Sequence, residues 1–154
     1  MGEFEIVPFE EKHVGLVLDF ERELRIEEPD TYFWEPNVDY EKALRKSFSD
    51  LRFINAMSFI AVKDMRVIGR IDASLIASRS DAVCAAAYLD WICVLKSRRH
   101  KKVAQELLKT LRAELKKRGV TLLIALMAQN KEAQDFYRSV EGASIHDEGI
   151  WIEV

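Results

Sequence analysis

"VLKSRRHKKVAQELL", residues 94–108, starts as the end of an apolar strand. It then crosses seven positions holding five Lys or Arg and one His, and passes directly into a leucine-spaced pattern. Val103, Leu107, Leu108, Leu111 and Leu115 form one apolar face at helical spacing. The pattern ends at Lys116-Lys117-Arg118-Gly119, a basic last turn followed by a glycine suited to the left-handed cap. A helix start carries unpaired amide hydrogens and a partial positive charge, so a strand running through a basic turn into a helix is a ready anion site. Residues 96–104 fit that geometry. Lys109, Arg112 and Lys116 lie opposite the leucine face and read as solvated.

Upstream, the period is two rather than 3.6. Residues 57–63, 66–78 and 82–95 read as consecutive antiparallel strands joined by turns at Asp64-Met65 and at 78–82. Before them come a strand over 4–9, a Glu-rich helix over 10–26, a loop over 27–37 and a second helix over 39–51 with Leu44, Phe48 and Leu51 on one face. Downstream, VTLLIALMA (120–128) has the pattern of a buried strand, Asn130 caps a short helix, and residues 144–147 and 150–154 read as a terminal hairpin.

The chain of 154 residues is 49% hydrophobic, which suits one globular domain spanning 1–154. Its formal net charge is −3, yet residues 96–118 carry ten Lys or Arg against two Glu, or +8, leaving −11 on the remainder. A protein that coats nucleic acid usually shows a basic excess over the whole domain. Here an acidic remainder would repel a long polyanion, while a small phosphorylated molecule can sit on the basic segment alone. No nucleic-acid partner is expected. The amino terminus shows no export or lipid signal and 120–128 is too short to span a bilayer, so no membrane is expected either. Cys84 and Cys93 form no CxxC pair, which favours a reducing, cytoplasmic setting. His13, His100 and His146 lack metal-ligand spacing with the cysteines, and no nucleophile elbow or Walker motif occurs, so no metal is expected.

Two ordered segments carry a family resemblance. VLKSRRHKKVA resembles the element of the GNAT-type N-acetyltransferases that ends one strand and grips the pyrophosphate of acetyl-CoA, whose pattern is Arg-x-x-Gly-x-Gly/Ala. Arg99 matches the Arg and Ala104 the final small residue, while Lys102 stands where the family has glycine. NKEAQDFY (130–137) is similar to the later Asn-x-x-Ala-x-x-Phe-Tyr element. The family's Gly-Phe after the last helix is Gly142-Ala143 here. The resemblance covers nearly the whole chain. It implies an α/β fold of order β-α-α-β-β-β-α-β-α-β-β, with a mixed, largely antiparallel sheet flanked by helices.

The implied activity is acetyl transfer from acetyl-CoA to a primary amine of a small molecule or peptide, by direct transfer. On the resemblance, Ile92, Cys93 and Val94 hold pantetheine, and Arg99, His100, Lys101, Lys102, Val103 and Ala104 hold pyrophosphate. Asn130 and Phe136 line the cofactor groove, and Tyr137 protonates the departing thiolate. Asp90 lies four residues before Val94, where a partly buried carboxylate could take a proton from the amine, with Asp72 as the second candidate. Glu28, Asp30, Tyr32, Trp34 and Asp72 shape the acceptor side, carboxylates and rings being suited to a cation.

The plain alternatives stand beside these. The basic residues also read as a solvated helix start, Tyr137 as a packed aromatic, Asp90 as a wet-face residue sharing strand parity with Tyr88, Ile92 and Val94, and 27–36 as a solvated loop with Phe33 or Trp34 tucked inward. For the whole chain they are a non-catalytic acyl-CoA-binding module or a nucleic-acid-binding domain using 96–102. A homodimer is open beside a monomer.

Overall fold

The computed structural model describes residues 4–77, 79, 86–146 and 149–154. Five strands, β1 (Glu5–Pro8), β2 (Ala56–Lys63), β3 (Arg66–Ile76), β4 (Ala86–Val94) and β5 (Leu122–Ala125), form one sheet in chain order. Among the described residues four α-helices flank it: α1 (Val14–Glu27), α2 (Val38–Ser47), α3 (Val103–Lys117) and α4 (Lys131–Arg138). β1 to β4 pair antiparallel and β5 pairs parallel to β4, because α3 carries the chain back across the sheet between them. The expected α/β class and mixed sheet are therefore present.

Asp64 (φ 49°) and Met65 (φ 59°) both take positive φ in a two-residue turn between the paired Lys63 and Arg66. This is the backbone that a tight hairpin needs. On α3 the leucine-spaced face is buried throughout, at Val103, Leu107, Leu108, Leu111 and Leu115, and Gly119 closes the helix at φ 76°. α3 lies close on β3 at Gly69, where an added Cβ would stand 3.0 Å from Val103 Cγ1 and 3.1 Å from Leu107 Cδ1. α1 packs on the opposite face, its Val14, Val17, Leu18, Phe20 and Leu24 buried in the core.

Four expectations are corrected. α2 ends at Ser47, not at 51; Leu51 is exposed, and Phe48 instead meets Phe9 edge-on with ring centroids 5.1 Å apart. β5 is not a buried strand: it pairs on one side only, with β4, and Leu122, Ile124 and Leu126 are exposed. Among the described residues, 144–146 and 149–154 form no strand, Ile145, Ile150, Trp151 and Ile152 are exposed, and the expected terminal hairpin is not seen in them. Asp147 and Glu148 lie outside the described residues, as do Cys84 and most of the turn expected at 78–82.

The last correction concerns parity on β4. Between β3 and β4 the register steps from Asp72↔Trp91 to Ala73↔Leu89, so Asp90 is the extra residue of a bulge. The bulge switches faces. Tyr88 opposes Ser74 before it, Trp91 and Cys93 oppose Asp72 and Arg70 after it, and Ile92 and Val94 oppose Ile71 and Gly69 on the α3 side.

Candidate active site

The β4–β5 ladder runs from Ala86↔Leu122 to Leu89↔Ala125 and stops there, while β4 continues to Val94. Beyond Leu89 the two parallel strands fork. Ile92, Cys93 and Val94, expected to hold pantetheine, lie on the arm that continues. Cys93 and Val94 are buried and Ile92 is half-buried.

The fork opens toward the turn at 95–102. Leu95 through Arg99 make a short 3-10 turn, and Lys102 then serves as N-cap of α3 at φ 63°, ψ 9°, with no side chain capping the helix. Lys102 thus holds the left-handed backbone for which the family uses glycine. His100 is also left-handed, at φ 59°. The first-turn amides of α3, at Val103, Ala104 and Gln105, have no acceptor within the helix. His100, Lys101 and Lys102 are exposed around them.

Arg99 does not share that exposure. Its Nε donates to Val94 O at 3.2 Å, and its Nη1 to Glu28 Oε1 at 3.0 Å and Glu132 Oε2 at 3.0 Å. Nη2 donates to Glu28 Oε2. Burial works against the guanidinium's charge, but the Glu28 hydrogen bonds and the charges of Glu28 and Glu132 outweigh it and raise its pKa. Glu132 stands in the first turn of α4, where Asn130 Oδ1 accepts from Ala133 N–H at 2.8 Å. Asn130 caps this helix through its side-chain oxygen.

α4 carries the aromatic pair. Phe136 and Tyr137 meet edge-on at 5.3 Å, and both pack against the core. Burial, and secondarily the neighbouring Tyr88, push the Tyr137 phenol above its ordinary value of 10. A phenol so placed remains a proton donor through neutral and mildly alkaline pH.

On the α1 face, Asp90 Oδ2 accepts from Ser74 Oγ at 2.6 Å. Asp90 is exposed, not partly buried as expected, because the bulge turns it out of the ladder. Asp72 is ion-paired: Arg70 Nε lies 2.8 Å from Asp72 Oδ2, a contact of charge without hydrogen-bond alignment. Arg70 Nη1 donates to Glu21 Oε1 at 2.8 Å. Its guanidinium covers the Phe9 ring at 4.8 Å and the Trp91 ring at 5.6 Å. Sequence reasoning missed Glu21 and Arg70. Glu21 is 1% exposed and receives Trp34 Nε1–H at 3.1 Å and the Tyr40 hydroxyl at 3.0 Å; burial holds its carboxyl above the ordinary value, and the Arg70 charge and these two bonds offset only part of that. A Glu in a Glu-rich helix gave no sign of this; only its place among Val17, Leu18, Phe20 and Leu24 on the buried face could have shown it.

The loop 28–36 lies over this cluster. The Tyr32 hydroxyl is 2.8 Å from Cys93 Sγ, and Tyr32, Trp34 and Trp91 meet edge-on, with Trp34 and Trp91 centroids 5.7 Å apart. Burial pushes the Cys93 thiol up to about 11. Trp34 is half-buried, whereas Phe33 and Asp30 are exposed. The structure thus brings Tyr32, Trp34, Asp72 and Asp90 to one face. It directs Glu28 to Arg99 and leaves Asp30 in solvent.

Two clefts accompany these features. One of about 410 Å³ is lined by residues of β1 and of the segment leading into α1, with Leu16, Val62 and Met65, at the other edge of the sheet from β5. The other, about 240 Å³, lies between α3 and α4 and includes Gln105, Lys109, Arg112 and Phe136.

An acetyltransferase (GNAT) family model matches residues 18–142. The chain belongs to the GNAT acetyltransferase family. No curated protein sequence matches it. Among solved structures, it is similar to an aminoglycoside acetyltransferase, meta-AAC0020, from an uncultured soil metagenomic sample, in complex with sisomicin: TM-score 0.81 and 14% identity over 99% of this chain and 97% of that one. It is also similar to AAC(6')-Iy in complex with a bisubstrate analog, CoA-S-monomethyl-acetylneamine: TM-score 0.75 and 18% identity over 98% of both chains. A ribosomal-protein-alanine N-acetyltransferase from Brucella melitensis biovar Abortus 2308 aligns with TM-score 0.74 and 13% identity over 98% of this chain and 99% of that one. At these identities the likeness is one of fold. Among the described residues, no helix of this GNAT protein is long and apolar enough to cross a membrane.

Proposed function

We propose that this GNAT protein is an acetyl-CoA-dependent N-acetyltransferase that acts on a primary amine of a small molecule or peptide. The observation that carries the reading is the fork of β4 and β5 opening onto an uncapped α3 start whose Lys102 keeps the left-handed backbone. That arrangement suits a thioester arm lying against Ile92–Val94 with its phosphates on the first-turn amides. Acetyl-CoA supplies the acyl group and a thiol leaving group. The chain's residues supply orientation and two proton sites. The β4 backbone and the Trp34/Trp91 pair hold the two reactants together, so proximity carries much of the rate. Asp90, or water beside it, takes the ammonium proton, freeing the nitrogen lone pair to form the C–N bond as the C–S bond breaks. Tyr137 gives its proton to the departing sulfur, and the second proton, lost by the nitrogen once the C–N bond has formed, passes through water to restore the phenol. The non-catalytic binding module is the alternative that an assay excludes.

The test is a panel of amines assayed for CoA thiol release, followed by Tyr137→Phe on the best acceptor. The ring stays packed, so acetyl-CoA affinity is expected within a few-fold of the parent while turnover falls by about 10²-fold or more. The sign of the pH dependence follows from the raised phenol: protonated Tyr137 is the active form, so its alkaline limb falls above pH 10, and Tyr137→Phe removes that limb. Acetyl-CoA binding with no thiol release from any amine favours the binding module. Unchanged turnover where chemistry limits the rate returns Tyr137 to packing.

A further inference from the structure

The family pattern puts an arginine at 99, and the resemblance implies that it holds pyrophosphate. Its surroundings argue otherwise. A guanidinium has five N–H donors, and four of Arg99's are taken by Val94 O, both Glu28 oxygens and Glu132 Oε2. Two carboxylates on one guanidinium leave that cluster net negative, and the Arg99 side chain is only 17% exposed. A phosphate approaching it meets Glu28 and Glu132 as well. By contrast Lys101 and Lys102 are exposed with no carboxylate partner among the described ion pairs.

What Arg99 joins is specific. Glu28 is the first residue after α1 and opens the loop that carries Tyr32 and Trp34; Glu132 is in the first turn of the helix that carries Tyr137. A second contact runs in parallel, Glu27 Oε2 accepting from Lys96 N–H at 2.7 Å, and a third is Tyr32 on Cys93. Thus the end of α1 and the loop after it are fastened to the end of β4 and its turn at three points. Arg99 is the one that also reaches α4.

We propose that Arg99 is a positioning residue, which fastens the acceptor-side loop 28–36 and the α4 start to the turn before α3, while the phosphates of acetyl-CoA are met by the first-turn amides of α3 with Lys101 and Lys102. This rests on the proposed acetyl-CoA-dependent reaction. A bidentate fork fixes direction as well as distance, and lysine does not reproduce it. Loss of the fork frees Glu28, and through the short loop it shifts Trp34 against Trp91.

The experiment compares Arg99→Gln, Arg99→Lys, Glu28→Gln, the Arg99→Gln/Glu28→Gln double variant and a Lys101→Ala/Lys102→Ala pair. Three readouts are used: acetyl-CoA titration calorimetry at low and high salt, the near-UV circular dichroism of the indoles without ligand, and the amine KM and kcat. Arg99→Gln, Arg99→Lys and Glu28→Gln are each expected to change the indole signal in the same way and raise the amine KM about tenfold, with acetyl-CoA affinity within about threefold. The double variant is expected to be no worse than Arg99→Gln alone, because Arg99→Gln already removes the contact with Glu28. The Lys101→Ala/Lys102→Ala pair is expected to weaken acetyl-CoA about tenfold and flatten its salt dependence. The proposal is overturned if Arg99→Gln weakens acetyl-CoA about tenfold or more with a flatter salt dependence while Glu28→Gln does not. It is also overturned if the indole signals of Arg99→Lys and Glu28→Gln match the parent. Should Arg99→Gln not fold, Glu28→Gln and Arg99→Lys decide by the same criteria. Failure of the parent to bind acetyl-CoA instead overturns the proposed reaction, and the unliganded indole signal still tests the fastening.

Discussion

Lys102 occupies a backbone conformation that costs an L side chain on the order of 1 kcal/mol, because its Cβ crowds the neighbouring carbonyl. At φ 63° its amide and those that follow are turned into the start of α3. Glycine would take the same φ without the clash. Lys102→Gly is therefore expected to raise unfolding free energy by about 0.5–1 kcal/mol in chemical denaturation. The same change removes an exposed charge from the proposed phosphate site, so acetyl-CoA is expected to bind several-fold more weakly. A less stable variant would show that the Lys102 side chain itself holds the turn. The departure from the family pattern at 102 was legible, and so was its backbone consequence, since both follow from one residue's allowed φ. The surroundings of Arg99 were not legible: Glu28 lies 71 positions away and Glu132 lies 33 away, and no local pattern pairs them.

Elements were readable where their signal was local. α3 shows its whole leucine face and its glycine cap in one continuous stretch, and all five face residues are buried as expected. The β4 bulge was invisible because the alternation on either side of Asp90 looks continuous in the sequence, and only the register against β3 reveals the extra residue. β5 differs for a related reason: its apolar run reads as burial on both faces, but the strand pairs on one side only and leaves Leu122 and Ile124 uncovered. The β3–α3 contact gives the element-scale prediction. At Gly69 an added methyl would stand 3.0 Å from Val103 Cγ1, 3.1 Å from Leu107 Cδ1 and 3.2 Å from Cys93 O. Two of those neighbours are buried side chains of a well-packed helix and the third is backbone, so none yields freely. Gly69→Ala is expected to destabilise by about 1–3 kcal/mol, read as a lower denaturation midpoint with an unchanged slope. An unaffected midpoint would mean that α3 slides along the sheet at little cost.

At the scale of the molecule, charge is divided between one basic segment, +8 over residues 96–118, and a remainder of −11. The proposed reaction uses both parts: an anionic co-substrate at the α3 start and a cationic amine over the opposite face, where Asp72 and Asp90 lie. Ligand binding to the native state alone adds RT ln(1 + [L]/Kd) to stability, about 2.7 kcal/mol at a hundredfold excess over the dissociation constant. For a chain of this size that corresponds to a melting temperature higher by roughly 5–10 °C. The gain is expected to shrink at high salt when free acetyl-CoA is held constant, because the exposed Lys101 and Lys102 are screened while the α3 amides keep their direct hydrogen bonds. Differential scanning fluorimetry with acetyl-CoA, at low and high salt, reads both effects. Dephospho-CoA serves as a comparator carrying the pyrophosphate and lacking the ribose phosphate. A shift of similar size with dephospho-CoA places the main contact at the pyrophosphate and the α3 start. A shift lost with it moves the contact to the basic side chains Lys109 and Arg112 of the α3–α4 cleft. No shift at millimolar acetyl-CoA would remove the basis for reading the fork of β4 and β5 as a thioester site.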